Sequence, residues 1–316
     1  MKSKKWLGLL LFLVGFCIAC TPQLAPPESL PNGAESVRQI QHAMGTTQVA
    51  KDSSRVVILT NEGTDMALAL GVTPVGAVRS WSGDPYYDYI AAEMTGVEMV
   101  GNELQPNLEK IAALKPDLIL GSKVRHKGIY RKLRAIAPTV FSETLGVTWK
   151  DNLKLYSEAL GHSEQAEVLL AEWDARVADF QERLGDQNIE VSLVRFMPGA
   201  ARVYYKDSFP GQIVNEVGLA RPEEQDRNGF AQQVSLEQIS AMDGDAIFYF
   251  VFGGSQGEQQ PLETVSQPWL DQPLWQRLSA VQTGKVYAVD DAIWTSSSGI
   301  KAANLMLDDL YIHLNL

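Results

Sequence analysis

From Arg55 onward, short apolar or β-branched runs alternate with segments of helical periodicity. Val56 to Leu59, Val75 to Val78, Leu118 to Leu120 and Thr139 to Phe141 read as strands, with helices through Asp65 to Leu70 and Leu108 to Leu114. A second series follows: strands at Val191 to Phe196, Ala201 to Tyr205, Ala246 to Phe252 and Val286 to Val289, with a helix through Ile213 to Val217. Alternation of this kind is an α/β rhythm, and two series make two lobes.

Between the series, Ala166, Leu169, Leu170, Trp173, Val177, Phe180 and Leu184 recur at three- and four-residue steps, a single apolar helical stripe. Ser163 is placed to cap its start, and Gly185 lies just past its end. At 1.5 Å per residue such a helix is about 33 Å long, enough to run beside both lobes and restrain their rotation. The expected fold is α/β, with two Rossmann-like lobes joined by one long rigid helix: residues 55–162, 163–185 and 186–316.

The N-terminus has a different pattern. Lys2, Lys4 and Lys5 precede an apolar run from Trp6 to Ile18, too short for a membrane span and fitting an export signal over residues 1–19. Cys17-Ile18-Ala19-Cys20 resembles a bacterial lipobox, with Cys17 where Leu is usual; acylation at Cys20 would anchor the chain to a membrane. Ordinary cleavage after Ala19 is the alternative. Residues 20–54, rich in Pro, Gln, Ser and Gly, read as a linker with at most a short ordered piece.

Charge narrows the choice of partners. The 316 residues carry 38 acidic and 27 basic side chains, and removing the three signal lysines leaves 24 basic against 38 acidic, a balance of −14. Such a body repels nucleic acid and anionic headgroups. Both cysteines sit at the signal boundary, so the exported body has no disulfide, thiolate-held zinc or cysteine nucleophile. The four histidines, at 42, 126, 162 and 313, have no metal-ligand spacing.

An internal echo links the lobes. Gln105, Leu108, Glu109, Ile111, Ala113, Asp117 and Ile119 recur 128 residues later as Gln233, Leu236, Glu237, Ile239, Ala241, Asp245 and Ile247. The apolar members mark any buried helix face, but the paired glutamates, each near a helix start, suggest two matched surface posts.

The chain resembles the substrate-binding proteins of bacterial ABC importers for iron-siderophores and cobalamin, the class whose lobes share one long helix. The resemblance covers roughly Arg55 to the C-terminus. It rests on Gln105-Pro106-Asn107-Leu108-Glu109-Lys110-Ile111, Leu114-Lys115-Pro116-Asp117-Leu118-Ile119 and Ala135-Ile136-Ala137-Pro138-Thr139-Val140. The second half adds Asp207-Ser208-Phe209-Pro210-Gly211, Val234-Ser235-Leu236-Glu237-Gln238-Ile239 and Leu274-Trp275-Gln276-Arg277-Leu278. The resemblance implies that Glu109 and Glu237 dock on arginines of a permease, to which a carboxylate binds with direction. ATP hydrolysis would fall to a partner subunit, since the chain has no Walker-type motif.

Ligands of open α/β sheets sit beyond the carboxyl ends of the strands. Residues there are cationic and aromatic: Arg79, Trp81 and Tyr86; Arg125; Arg195, Arg202, Tyr204, Tyr205 and Phe209; and Trp294. Tyr204 and Tyr205 should point to opposite faces of a strand, so at most one reaches the cleft. A ferric siderophore presents an anionic chelate on an organic shell, which guanidinium forks and aromatic walls complement. Arg79 and Arg125 lead; Gly121-Ser122-Lys123-Val124-Arg125-His126 resembles the loop by which relatives binding citrate-hydroxamate siderophores meet carboxylate, while Lys123 reads as solvated.

The resulting expectation is an exported monomeric receptor on the periplasmic or cell-surface side, anchored at Cys20. It carries no intrinsic cofactor and takes Fe(III) only as a siderophore chelate, of hydroxamate or citrate-hydroxamate type, for an ABC permease and its ATPase. Cobalamin or haem is the alternative ligand. A serine esterase is the alternative of another class: Gly253-Gly254-Ser255-Gln256-Gly257 matches a nucleophile elbow, with Asp290, Asp291 and His313 downstream. However, Glu258 to Pro261 reads as a polar loop where that motif needs a helix.

Overall fold

The computed structural model describes residues 37–254 and 260–316. The expected signal peptide 1–19, the anchor Cys20, the first part of the linker and Ser255 lie outside the described residues.

Regular structure starts earlier than Arg55. Strands β1 (Val37–His42) and β2 (Gly45–Ala50) form an antiparallel hairpin inside the expected linker, which corrects that reading. Ile40 and Val49 are fully buried against the N-terminal lobe, and Thr47 Oγ1 donates to the Thr139 carbonyl at 3.1 Å. The alternation was weak because two inward positions, His42 and Thr47, are polar and satisfy one another at 2.9 Å. His42 Nδ1 accepts the Phe141 N–H at 3.2 Å, and burial, with Arg134 nearby, lowers its pKa and keeps the ring neutral.

The N-terminal sheet contains β3 (Val56–Ile58), β4 (Gly76–Arg79), β5 (Glu98–Asn102), β6 (Gln105–Pro106), β7 (Leu118–Ser122) and β8 (Thr139–Ser142). Their order is β6-β5-β4-β3-β7-β8, parallel apart from the edge strand β6. The second sheet contains β9 (Val191–Met197), β10 (Ala200–Tyr204), β11 (Ala231–Val234), β12 (Ala246–Val251) and β13 (Val286–Val289), ordered β11-β10-β9-β12-β13. Here β9, β12 and β13 are parallel, while β10 runs against both its neighbours.

The internal echo has a structural counterpart. Asp117 accepts the N–H of Ser54 and of Arg55, just before β3, at 2.8 and 3.0 Å; Asp245 accepts the N–H of Glu190, just before β9, at 2.9 Å. The backbone returns the bond in both lobes, Asp117 N to Arg55 O at 3.0 Å and Asp245 N to Glu190 O at 2.8 Å. Each aspartate thus fixes the register at which a central strand meets its parallel neighbour.

The connecting helix spans Ser163–Leu184, 22 residues, with His162 rather than Ser163 at the cap position. Trp173 on its apolar stripe is fully buried, packs edge-on against Trp149 of the helix Trp149–Leu160 at 5.4 Å, and donates to Glu216 at 3.1 Å. One continuous apolar core contains Val56, Leu118 and Val140 of the first sheet together with Val191, Leu193 and Phe248 of the second. Large relative motion of the lobes would expose that shared core to water.

A second tie crosses between the lobes. Asp65, on the helix Asn61–Ala69, accepts from Tyr89 OH at 2.7 Å and from the Lys301 and Ala302 N–H groups at 2.9 and 3.0 Å, capping the last helix, Ile300–Leu314. Gly299 permits this approach, because a Cβ there would lie 2.1 Å from Asp65 Oδ1.

Candidate functional site

A cleft of about 300 Å³ opens where the strand ends of the two lobes face each other. The first lobe contributes Glu62 after β3, Trp81 after β4, Glu103 after β5, Arg125 after β7 and Gly146 after β8. All five follow strand carboxyl ends, where side chains and helix N-termini are free to meet a ligand. The second lobe contributes Arg195, Phe209, Phe230, Phe252 and the serines 296 to 298.

Arg125 is held at its root and open at its tip. Its Nε donates to Glu103 Oε1 at 3.1 Å, and its two Nη groups have no partner among the described residues. Its side chain is 41% exposed while that of Glu103 is 4% exposed, so the fork projects from a fixed buried anion. Glu103 is in turn fastened by the Asn61 N–H and Nδ2, both at 3.0 Å. His126 completes the support: Nε2 bonds the Glu103 carbonyl at 2.8 Å and Nδ1 accepts the Ser122 N–H at 3.2 Å. Burial lowers the His126 pKa, which keeps this bracing ring neutral.

Arg195 differs. Asp291 binds it bidentately at 2.6 and 2.7 Å, Ser296 Oγ accepts from Nη2 at 3.0 Å, and the guanidinium lies 4.7 Å over Phe252. Burial works against its charge, yet Asp291 outweighs that and holds its pKa above the ordinary arginine value. This arginine lines the cleft with its donors largely committed.

Glu62 is the unexpected member. It is 2% exposed, on the first turn of the helix Asn61–Ala69, and accepts the Gly146 N–H at 2.5 Å and Asn152 Nδ2 at 2.7 Å. Burial pushes its pKa up to about 8; the two bonds oppose the rise, and Glu103 and Asp65 add to it.

Of the ten residues expected at the ligand, Trp81, Arg125, Arg195 and Phe209 line this cleft. Tyr204 and Trp294 are fully buried: Tyr204 belongs to the shared core, and Trp294 stacks on Phe248 at 4.8 Å and donates to Asp309 at 2.7 Å. Tyr205 packs on the opposite face of the sheet and bonds Gln232, so the two tyrosines do diverge but neither lines the cleft. Tyr86 is 4% exposed within an apolar cluster. Arg79 and Arg202 are half-buried and not among the lining residues; Arg202 sits opposite Arg195 across the β9–β10 pair.

Sequence reasoning passed over Glu62, Glu103, Phe230, Phe252 and the serines. The strand-end rule applied to β3 points directly at Asn61-Glu62, but a carboxylate in an acidic chain reads as solvated. The rival hydrolase arrangement finds no support in its other members: Asp291 is tied to Arg195, and His313 stacks on Tyr287 at 4.5 Å. Among the described residues no group of three or more His, Cys, Asp and Glu is placed to hold a metal, and no helix is long and apolar enough to cross a membrane.

The paired glutamates are both exposed. Glu109 lies two residues after the cap residue Asn107, and Glu237 lies inside the capping box of Ser235 and Gln238, beside the edge strands β6 and β11. A bond from Ser235 lowers the Glu237 pKa, so its carboxylate stays charged.

Comparison with known proteins agrees with this architecture. The chain is 45% identical over 320 residues to the probable siderophore-binding lipoprotein YfiY of Bacillus subtilis (strain 168), covering 97% of each chain. It is 36% identical to the achromobactin-binding periplasmic protein of Dickeya dadantii (strain 3937), covering 81% of this chain and 85% of that one. Among solved structures, Staphylococcus aureus SirA complexed with staphyloferrin B superposes with a TM-score of 0.80 at 36% identity, covering 88% of this chain and 98% of SirA. A family model described as periplasmic binding protein matches residues 56–293, and the chain belongs to that family.

Proposed function

We propose that this protein is an extracytoplasmic receptor that captures a ferric siderophore between its lobes and passes it to an ABC permease. The observation that carries the reading is Arg125: a guanidinium braced by Glu103 and His126, with free Nη groups, facing aromatic walls of Trp81, Phe209, Phe230 and Phe252. Such a site suits an anionic chelate with an organic shell. The names of the relatives point the same way, toward siderophores of the achromobactin and staphyloferrin B kind. Iron would arrive already chelated and need no protein ligand.

Because the lobes share one core, recognition relies on a largely preformed cleft with slight closure. Glu109 and Glu237 are the proposed contacts to permease arginines, one per lobe. Cys20 is the proposed lipid attachment.

Tryptophan quenching tests the reading, since Trp81 lines the cleft. Ferric staphyloferrin B, citrate, hydroxamate and catecholate complexes should be compared with cobalamin and haem. Saturable quenching by a ferric siderophore is expected; binding of cobalamin or haem alone would reject it.

A further inference from the structure

Of the four charged side chains lining the cleft, Glu62 alone has no oppositely charged partner among the described residues. Arg125 is matched by Glu103 and Arg195 by Asp291, so an ionised Glu62 would leave one uncompensated negative charge facing the ligand. No cation is paired with it among the described residues; its partners are the neutral Gly146 N–H and Asn152 amide. The elements packed around it add no positive charge close by. Asp65 lies one turn along the same helix, Glu103 after β5, and Tyr156, a neutral phenol, on the helix Trp149–Leu160. Arg125 and Arg195 are the charged groups across the cavity, each already in an ion pair.

We propose that Glu62 enters the complex as a neutral carboxylic acid, its O–H donating to an anionic oxygen of the bound chelate, so that at alkaline pH capture of the ligand is coupled to uptake of one proton. The proposal rests on the receptor reading above and specifies the ligand's chemistry: the part that meets the first lobe must be an acceptor rich in negative charge, not an ammonium group. A protonated carboxyl keeps acceptor positions for Gly146 and Asn152 while gaining one donor, whereas the ionised form has no donor to offer an anion.

The raised pKa of about 8 sets the pH window. Below it the free protein already carries the proton, so affinity is flat and little proton uptake accompanies binding. Above it the proton must come from solvent, so affinity falls by up to about tenfold per pH unit until the pKa of the complex is reached.

Calorimetry with ferric staphyloferrin B in two buffers of different ionisation enthalpy reads the coupling. At pH 9 the native protein should take up close to one proton per ligand, and Glu62→Gln should take up markedly less, with an affinity nearly independent of pH from 7 to 9.5. Comparing the two proteins at each pH cancels protonation of the ferric complex itself. Infrared difference spectra of native protein at pH 9 provide a reading without a variant: ligand addition should create a protonated-carboxyl band. Binding with no proton uptake and no such band overturns this inference and leaves the receptor reading standing. No binding of ferric staphyloferrin B, citrate, hydroxamate or catecholate complexes at pH 7 removes both.

Discussion

The two lobes share a frame but use their arginines differently. In both, an aspartate before an inner strand, Asp117 or Asp245, locks the start of the central strand, and a glutamate stands exposed at a helix start beside the sheet edge. Yet Arg125 in the first lobe is tethered through Nε alone, while Arg195 in the second is gripped bidentately by Asp291. The same residue type near the carboxyl end of a strand is open at its tip in one half and closed into an ion pair in the other. Position relative to the sheet decides where a side chain ends up; its partners decide whether it is free to act.

The largest expected effect separates the two arginines by stability. Arg195→Ala leaves Asp291 buried without its cation and should cost about 3–5 kcal/mol of unfolding free energy, measured by urea denaturation. Arg125→Ala also leaves a buried anion, but Glu103 keeps the Asn61 N–H and Nδ2 bonds and its lost partner is partly exposed, so this variant should lose clearly less. Equal losses in both variants would erase the contrast.

Binding should reverse the ranking. Arg125→Ala removes charge-assisted hydrogen bonds to the ligand and should weaken a ferric siderophore by about 1.5–3 kcal/mol, roughly 10- to 150-fold, in tryptophan quenching. An unchanged affinity would transfer the anion contact elsewhere in the cleft.

Smaller effects test the equivalence of the lobes. Asp117→Asn and Asp245→Asn each weaken a bond to the backbone and should destabilise by about 1 kcal/mol, by similar amounts in the two lobes. A loss confined to one would show that the internal echo is only partly structural. Reversing both Glu109 and Glu237 to lysine should leave ligand affinity unchanged while abolishing uptake by cells; normal uptake would end their assignment as permease contacts.

The features legible in the sequence were those set by local pattern. The strands flanking the echo, the long helix and its apolar stripe all came from periodicity, and Trp81, Arg125 and Phe209 from their place after strands. What was not legible depends on pairing at a distance. Nothing near Arg195 announces a partner 96 residues away in Asp291, and the antiparallel β10 follows from a tight hairpin, Met197 to Ala200, that the alternation does not distinguish from a crossover. Tyr204 and Trp294 look like aromatic walls because an aromatic after a strand fits a cleft or a core equally well; both are fully buried in the shared core. The N-terminal hairpin escaped because His42 and Thr47 turn polar side chains inward.

A ferric ion already wrapped by its chelator should sit between the lobes against Arg125. Anomalous diffraction at the iron edge, from crystals grown with ferric staphyloferrin B, tests it directly. One iron peak is expected in the cleft bounded by Arg125, Trp81 and Phe252, with no protein atom coordinating the metal. Iron outside that cleft, or bound by a protein side chain, would contradict it.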